Sequence, residues 1–483
     1  MSTFPSRLRS PRRAAPAAEP THGDQPPPSG LGSGLRTRHV SMISLAGVIG
    51  AGLFVGSSGA ITTAGPAVLV SFILAGAVVV LVMRMLGEMS TTRPSTGSFS
   101  TYADEALGRW GGLSVGWLYW WFWVLIIPIE AIAGAKIIHL WIDVPQWASA
   151  LIIVGVLTLT NLVSVRNYGE LEFWFALVKI VAIIGFIVVG ILAITGVLPG
   201  TSIDATHNLF GTPSFMPNGP VPVIAGILTA VFMYMGTEVV TIAASESKNP
   251  RRNVQRAVNS VIWRIAVFYL GSLLVAVAVV PWNSPGLSTD GTFQYVLGQL
   301  HIPGLRLMIE VVILTAVCSC ANSAIYTSSR MLFSLAERGD APRLLGDTTG
   351  RGVPTNAILA SSVVGLVAVV VNYSLPEQLF QYLIATTGAI GLIVYLVIAV
   401  THLRFRRALD AHGERAPVRM WLFPWLTYLT IGFIGFTLIL MVIDPTHRSE
   451  LILTLALTVV TVIVGTVVQR RGSRSPDGLD MSR

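Results

Sequence analysis

Ser41-Met-Ile-Ser-Leu-Ala-Gly-Val-Ile-Gly-Ala-Gly-Leu-Phe-Val-Gly-Ser-Ser-Gly59 is the stretch that decides how this chain folds. It is apolar enough to enter a membrane, and no charged residue occurs from Ser41 to Met83. Yet it holds Gly47, Gly50, Gly52, Gly56 and Gly59. That is too many for an uninterrupted helix, since each interior glycine costs about 0.5–1 kcal/mol relative to alanine. Hydrocarbon offers no partner to backbone groups freed from a helix. A helix that opens at Gly50-Ala51-Gly52 presents amide N–H groups on one side of the break, which suit a carboxylate. The carbonyls on the other side suit an ammonium. One interrupted helix can thus hold both poles of a zwitterion at membrane depth. Glycines that only let helices approach closely are the competing reading.

Working outward, the 483-residue chain is 53% hydrophobic and 12% charged, against about 25% charged for soluble domains. This composition defines an all-α polytopic membrane protein whose solvent is the lipid bilayer. The formal charge of +8 comes from basic residues spread along loops. They do not gather into a patch with aromatics, so no nucleic acid partner is expected. Cys318 and Cys320 point to different helix faces, cannot form a zinc site and read as packing residues. No Walker loop, His-Glu-x-x-His, Gly-x-Ser-x-Gly or Rossmann fingerprint stands in a supporting context, so no cofactor or metal and no ATP-driven step are expected. An enzyme would need clustered acid, base or nucleophilic side chains within the spans, where only scattered single charges occur. A channel would need a filter motif in a symmetric oligomer.

A membrane helix needs about 20 apolar residues. Twelve spans are expected, at 41–63, 66–90, 112–140, 146–165, 170–196, 222–247, 259–281, 305–335, 355–373, 378–402, 421–443 and 449–469. Lys and Arg concentrate in alternate connections, among them Lys248, Arg251, Arg252 and Arg256 after the sixth span. The long loops at 197–221 and 282–304 contain neither residue. The positive-inside rule then puts both termini in the cytoplasm. Residues 1–38 read as a disordered Arg/Pro-rich cytoplasmic tail. No cleavable signal peptide is expected, because the first long apolar run begins near Val40 and many follow.

The sixth span carries its own interruption, Phe232-Met-Tyr-Met-Gly-Thr-Glu238. Spans one and six each open a block of five, so the second block is inverted. Matched broken helices in inverted halves point to a transport site at the bilayer midplane. The expected layout is a first repeat at 39–197, a second at 198–403, two peripheral helices at 404–470 and a cytoplasmic tail at 471–483.

Several ionisable residues lie at membrane depth, where a charge costs at least about 2.5 kcal/mol and marks a functional candidate. Glu238 follows Gly236; it either serves transport or binds loosened backbone at the break. Lys179 lies in the fifth span, where an ammonium can take the place of a coupling cation and so couple transport to protons. Glu130, after Pro128, is placed along the outer pathway, with Lys136 and His139 at the interface. Arg84 and Glu88 share a helix face at i, i+4 and are expected to pair. Glu246 is expected in an inner gate with the basic residues that follow it. Asn322, Ser323 and Tyr326 either line the pathway or join helices. One aromatic of the cluster from Trp117 to Trp123 can face the ligand, and the segment from Gly97 to Gly108 reads as an interfacial helix.

Motifs along nearly the whole chain resemble the amino acid–polyamine–organocation superfamily, in its bacterial amino-acid permease branch. They are the run from His39 to Ser58, Gly97-Ser-Phe-Ser-Thr-Tyr-Ala-Asp104, Gly116-Trp-Leu-Tyr-Trp-Trp-Phe-Trp-Val-Leu-Ile-Ile-Pro-Ile-Glu-Ala131, Asn167-Tyr-Gly-Glu-Leu-Glu-Phe-Trp174, Phe215-Met-Pro-Asn-Gly219, Asn259-Ser-Val-Ile-Trp-Arg264 and the run from Ser328 to Pro342. The Arg/Pro tail and part of the 200–214 loop depart from the pattern. The resemblance implies a five-plus-five inverted fold that imports a small amino acid with protons by alternating access. It implies a substrate carboxylate on the amides of Gly50, Ala51 and Gly52, beside Ile49, and an amine near the carbonyls of Val48, Phe232 and Met235, with Gly236 and Thr237 at the second break. Within that branch the Trp-rich stretch favours γ-aminobutyrate (GABA) over aromatic, basic or small neutral amino acids, with proline or a basic or aromatic amino acid as the alternative substrate. The amine of GABA lies two methylenes further from its carboxylate than that of an α-amino acid, so either the pocket is longer or the amine reaches another partner, such as Glu238 or a carbonyl of the sixth span.

Overall fold

A computed structural model describes residues 35–46, 49–198, 203–211, 215–247, 249–302, 304–374 and 376–471. The tails at 1–34 and 472–483 and Val48 lie outside the described residues. The described residues hold no strand and run through nineteen α-helices, two of them preceded by π-helical turns.

The first half comprises α1 (Thr37–Ala46), a π-helical turn at Gly52–Gly56, α2 (Ser57–Ala64), α3 (Val68–Thr92), α4 (Ser98–Leu107), α5 (Arg109–Trp141), α6 (Gln146–Val163) and α7 (Val165–Ile194). After the short α8 (Ala205–Phe210) come α9 (Pro220–Tyr234), α10 (Val239–Ser245), α11 (Pro250–Arg264), a second π-helical segment at Ile265–Gly271 and α12 (Ser272–Val279). The short α13 (Pro285–Asp290) and α14 (Thr292–Gly298) follow. The long α15 (Leu305–Glu337), α16 (Thr355–Ser374), α17 (Pro376–Ala411), α18 (Trp425–Ile443) and α19 (Pro445–Arg471) complete the chain.

Eleven helical stretches among the described residues are long and apolar enough to cross a membrane. The first, Gly52–Thr92, runs two expected spans together through the turn at Gly65–Ala67. Exposed apolar residues form helical stripes, for example Val181, Ile184, Val188 and Ile191 on α7. A stripe of that size buries itself only in lipid. The chain is therefore a multi-pass membrane protein.

Both expected interruptions are present. Residues 49–50 are non-helical ahead of the π-helical turn at Gly52–Gly56, and regular helix ends at Tyr234 and resumes at Val239. The helices extend past the apolar windows, to Pro250 in α11 and Ala411 in α17, because a polar amphipathic turn continues a helix outside the lipid without penalty. The segment after Gly97 is a helix, but its Phe99, Tyr102 and Ala103 are buried, and Ser100 donates to the Gly112 carbonyl on α5 at 2.9 Å. It is a packed element of the bundle and not a surface helix.

Arg84 and Glu88 do not pair with each other, contrary to the i, i+4 expectation. Arg84 donates to the Arg419 carbonyl (2.8 Å) and to Asn259 Oδ1 (3.1 Å). Glu88 accepts from Arg406, His402 Nε2 (3.1 Å) and the Met420 amide (2.7 Å). Partners brought in by α17 and the segment before α18 satisfy the buried carboxylate more fully than one solvent-facing neighbour. Removing one member of a buried charged set leaves the others unsatisfied and costs about 3–5 kcal/mol. Glu88→Ala should therefore lower the detergent melting temperature sharply, while Arg84→Ala should change it little; equal shifts in the two variants would contradict this assignment.

Candidate functional site

The two interruptions face one another across a small cavity. The first break contributes Ile49, Gly50, Gly52 and Leu53, and the second contributes Phe232, Met233 and Met235. Phe122, Trp123, Ile126 and Glu130 of α5 close one wall; Tyr269 from the π-helical segment and Cys320 of α15 complete it. The free volume is about 30 Å³, room for a water rather than an amino acid.

Ala51 N–H is the first amide after the interruption, and it donates to both oxygens of Glu130, at 3.0 and 3.3 Å. The head of the resumed helix, whose amides suit an anion, is thus met by a side-chain carboxylate. A Cβ on Gly50 would lie 2.3 Å from Glu130 Oε1 and 2.8 Å from Cys320 Cβ, so only glycine lets the carboxylate approach. Glycine at 52 likewise leaves room for Met233, whose Cγ would lie 3.3 Å from an added Cβ.

Glu238 serves the second break. Gly236 takes the left-handed conformation, with φ of +98°, which favours glycine. Its N–H donates to both Glu238 oxygens, at 3.0 and 3.1 Å. Tyr119 OH (2.9 Å) and Tyr395 OH (3.4 Å) donate to the same group. Glu238 is fully buried, is not among the cavity-lining residues and binds the loosened backbone. Thr237 donates to the Tyr234 carbonyl at 2.6 Å. The Phe232 carbonyl accepts the Met235 amide at 3.3 Å. Gly236 and Thr237 thus shape the break without lining the cavity.

Arg264 ties the two breaks together. It is buried, sits immediately before the π-helical segment, and donates to the Ser44 carbonyl of α1 and to Thr237 Oγ1. The residue stood in a quoted motif, but arginine at the end of an amphipathic helix gives no sign of reaching two distant breaks. Glu172 was missed for a similar reason. It is buried, accepts from Ser319 and from Asn322 Nδ2 (3.5 Å), and lies within electrostatic reach of the buried Lys179. Lys179 also acts on Glu130, which links this group of charges to the cavity.

Below the breaks, Glu246 pairs with Arg330 Nε of α15 at 3.1 Å, and both side chains are buried. Among the described residues that follow Glu246, Arg251, Arg252 and Arg256 are not its partners, which corrects that part of the expectation, while Lys248 lies outside the described residues. Arg330 lies 4.1 Å over the Tyr326 ring, which stacks on Tyr168 at 4.1 Å. Asn322 accepts from Asn161 at 2.8 Å, and Ser323 meets Tyr168 OH at 3.3 Å, so these polar residues join helices. On the opposite side, Ser57 Oγ meets Thr292 Oγ1 at 2.7 Å and Phe54 packs on Phe293 at 4.8 Å. The short α14 thereby covers the π-helical turn.

The chain belongs to the amino acid permease family, whose model matches residues 39–475. Among similar proteins, a probable GABA permease of Pseudomonas aeruginosa is 54% identical over 92% of this chain and 94% of its own length. A gamma-aminobutyric acid permease of Escherichia coli is 52% identical over 89% of this chain and 93% of its own length. An aromatic amino acid transport protein of Corynebacterium glutamicum is 42% identical over 93% and 99%.

Gly50→Ala should reduce substrate affinity at least about tenfold, because the added Cβ meets Glu130 and Cys320 and the break must reshape. Gly185→Ala should leave affinity unchanged, since a Cβ there meets nothing within 4 Å. Equilibrium binding to the purified variants checks the contrast.

Proposed function

We propose that this protein is a secondary active transporter that imports GABA by proton symport with alternating access. The single observation that carries the reading is the cavity between two interrupted membrane helices, where a helix-head amide donates to Glu130, the only charged side chain among the described lining residues. Two related permeases at more than half identity carry GABA in their names, which supports the choice of substrate. The arrangement proposed has twelve spans, two inverted sets of five from 39 to 197 and 198 to 403, and both termini on the cytoplasmic side of the plasma membrane.

In this scheme the substrate carboxylate docks on the amides at Gly50, Ala51 and Gly52, in the field of the resumed helix. Aromatic and aliphatic walls from α5 and α9 enclose the methylenes. Lys179, between Glu172 and Glu130, carries the coupling proton, and its change of charge is felt at the cavity through Glu130. The Glu246–Arg330 pair and the stacked Tyr168 and Tyr326 form the inner gate. Opening it requires α10 to part from α15, and α14 closes the other side. The cavity must enlarge on binding, consistent with a site that alternates between open and occluded forms.

Uptake of labelled GABA into proteoliposomes tests the proposal, with proline, arginine and phenylalanine as competitors. An imposed inward proton gradient should drive accumulation and an uncoupler should abolish it. Preferred uptake of another amino acid would overturn the substrate, and accumulation indifferent to the gradient would overturn the coupling. Lys179→Met should retain counterflow exchange while losing gradient-driven accumulation; loss of both in a folded variant would remove Lys179 from the coupling role.

A further inference from the structure

Glu130 already occupies the place a ligand's carboxylate would take. Its oxygens lie 3.0 and 3.3 Å from the Ala51 nitrogen. The space above Gly50 is too narrow for a second carboxylate beside it, as the 2.3 Å approach of Oε1 to a Cβ position shows. A substrate carboxylate that docks on this amide must therefore displace Glu130. The displaced group stays buried, since its residue is 4% exposed and α5 fixes its backbone. A simple anion would then leave two carboxylates in one apolar cavity, which is costly unless each charge finds a partner.

A zwitterion resolves both problems at once. Its carboxylate replaces Glu130 on the amide, and its ammonium replaces the amide on Glu130. No new net charge is buried. Glu238 is not free for this role, because Gly236, Tyr119 and Tyr395 engage both its oxygens and it does not line the cavity. We infer that Glu130 is the specificity-determining residue that receives the substrate's ammonium, the substrate inserting between its carboxylate and the Ala51 amide. The distance Glu130 can withdraw then sets the number of methylenes that fit. Extended ω-amino acids suit the gap, because the two poles must reach from the head of the resumed helix across to α5. The inference rests on the transporter reading above and adds the partner of the amine to it.

The test uses the full-length protein in proteoliposomes, with β-alanine, 5-aminopentanoate, 6-aminohexanoate and butyrate competing against labelled GABA. Glu130→Asp shortens the receiving arm by one methylene. It should shift preference toward 5-aminopentanoate relative to GABA by about tenfold, the scale of one methylene in a fitted pocket. Glu130→Gln removes the charge that excludes a simple anion, so the preference for GABA over butyrate should fall by about tenfold or more. An unchanged chain-length profile in Glu130→Asp, or undiminished rejection of butyrate in Glu130→Gln, overturns the assignment. Wild-type protein that takes up no ω-amino acid would sink the GABA reading instead; the Glu130→Gln arm would then be run with the amino acid that is transported and its deaminated analogue. Should neither variant fold, a structure of the wild type with GABA decides. Glu130 paired to the ammonium at about 3 Å supports the inference, and Glu130 still on the Ala51 amide contradicts it.

Discussion

A backbone N–H that has lost its helical partner in the middle of a membrane must be met by something, and here the Glu130 carboxylate meets the Ala51 amide. An unsatisfied buried amide costs about 1–3 kcal/mol, and an unpaired buried carboxylate costs more. Each group is thus a liability that the other relieves. The same two liabilities are what a zwitterion brings and removes. The site is in this sense complete without its ligand, and the ligand enters by exchange of partners with little change in the number of satisfied groups.

The remaining charged residues divide the work of keeping the interruptions open. Glu238 holds the second break by capping the Gly236 amide, with tyrosines from α5 and α17 fixing its orientation. Arg264 reaches from α11 to both breaks and keeps them facing each other. The π-helical turns at Gly52–Gly56 and Ile265–Gly271 flank this assembly, the wider helix there giving the backbone room to redirect around the cavity. Lys179 and Glu172 form a second layer behind Glu130 and connect it to α7 and α15. Rearranging one of these buried groups alters what its neighbours feel, which is the property a coupled transporter needs.

Much of this was legible in the chain. The glycine run at 47–59 and the Met-Gly-Thr-Glu sequence ending at Glu238 marked both breaks, because a membrane helix has few reasons to carry such residues. Ile49, Gly50, Gly52, Phe232 and Met235, all singled out in the chain, line the cavity between the breaks. What the sequence left open were long-range pairings. Arg84 and Glu88 had the spacing to pair, but partners more than a hundred residues away satisfy them better. Glu246 found Arg330 on α15, and no periodicity along α10 could point to it. Glu238, a candidate for transport chemistry, serves the backbone, while Glu130 stands at the amide. Both are single acids in apolar spans, and only three-dimensional position separates them. Of the aromatic run on α5, Phe122 and Trp123 face the cavity, while Trp117 and Trp120 donate to Asp340 and Ser361. A helix that packs on nearly every side gives no amphipathic signal to sort them.

The central claim is that the site grips both poles of a dipolar solute and tolerates neither alone. Equilibrium binding of labelled GABA to purified wild-type protein, with butyrate and butylamine as competitors, tests it most directly. The account predicts that each single-pole analogue binds at least about a hundredfold more weakly than GABA, because each leaves a buried polar group without its partner. Either analogue competing within about tenfold of GABA would contradict it.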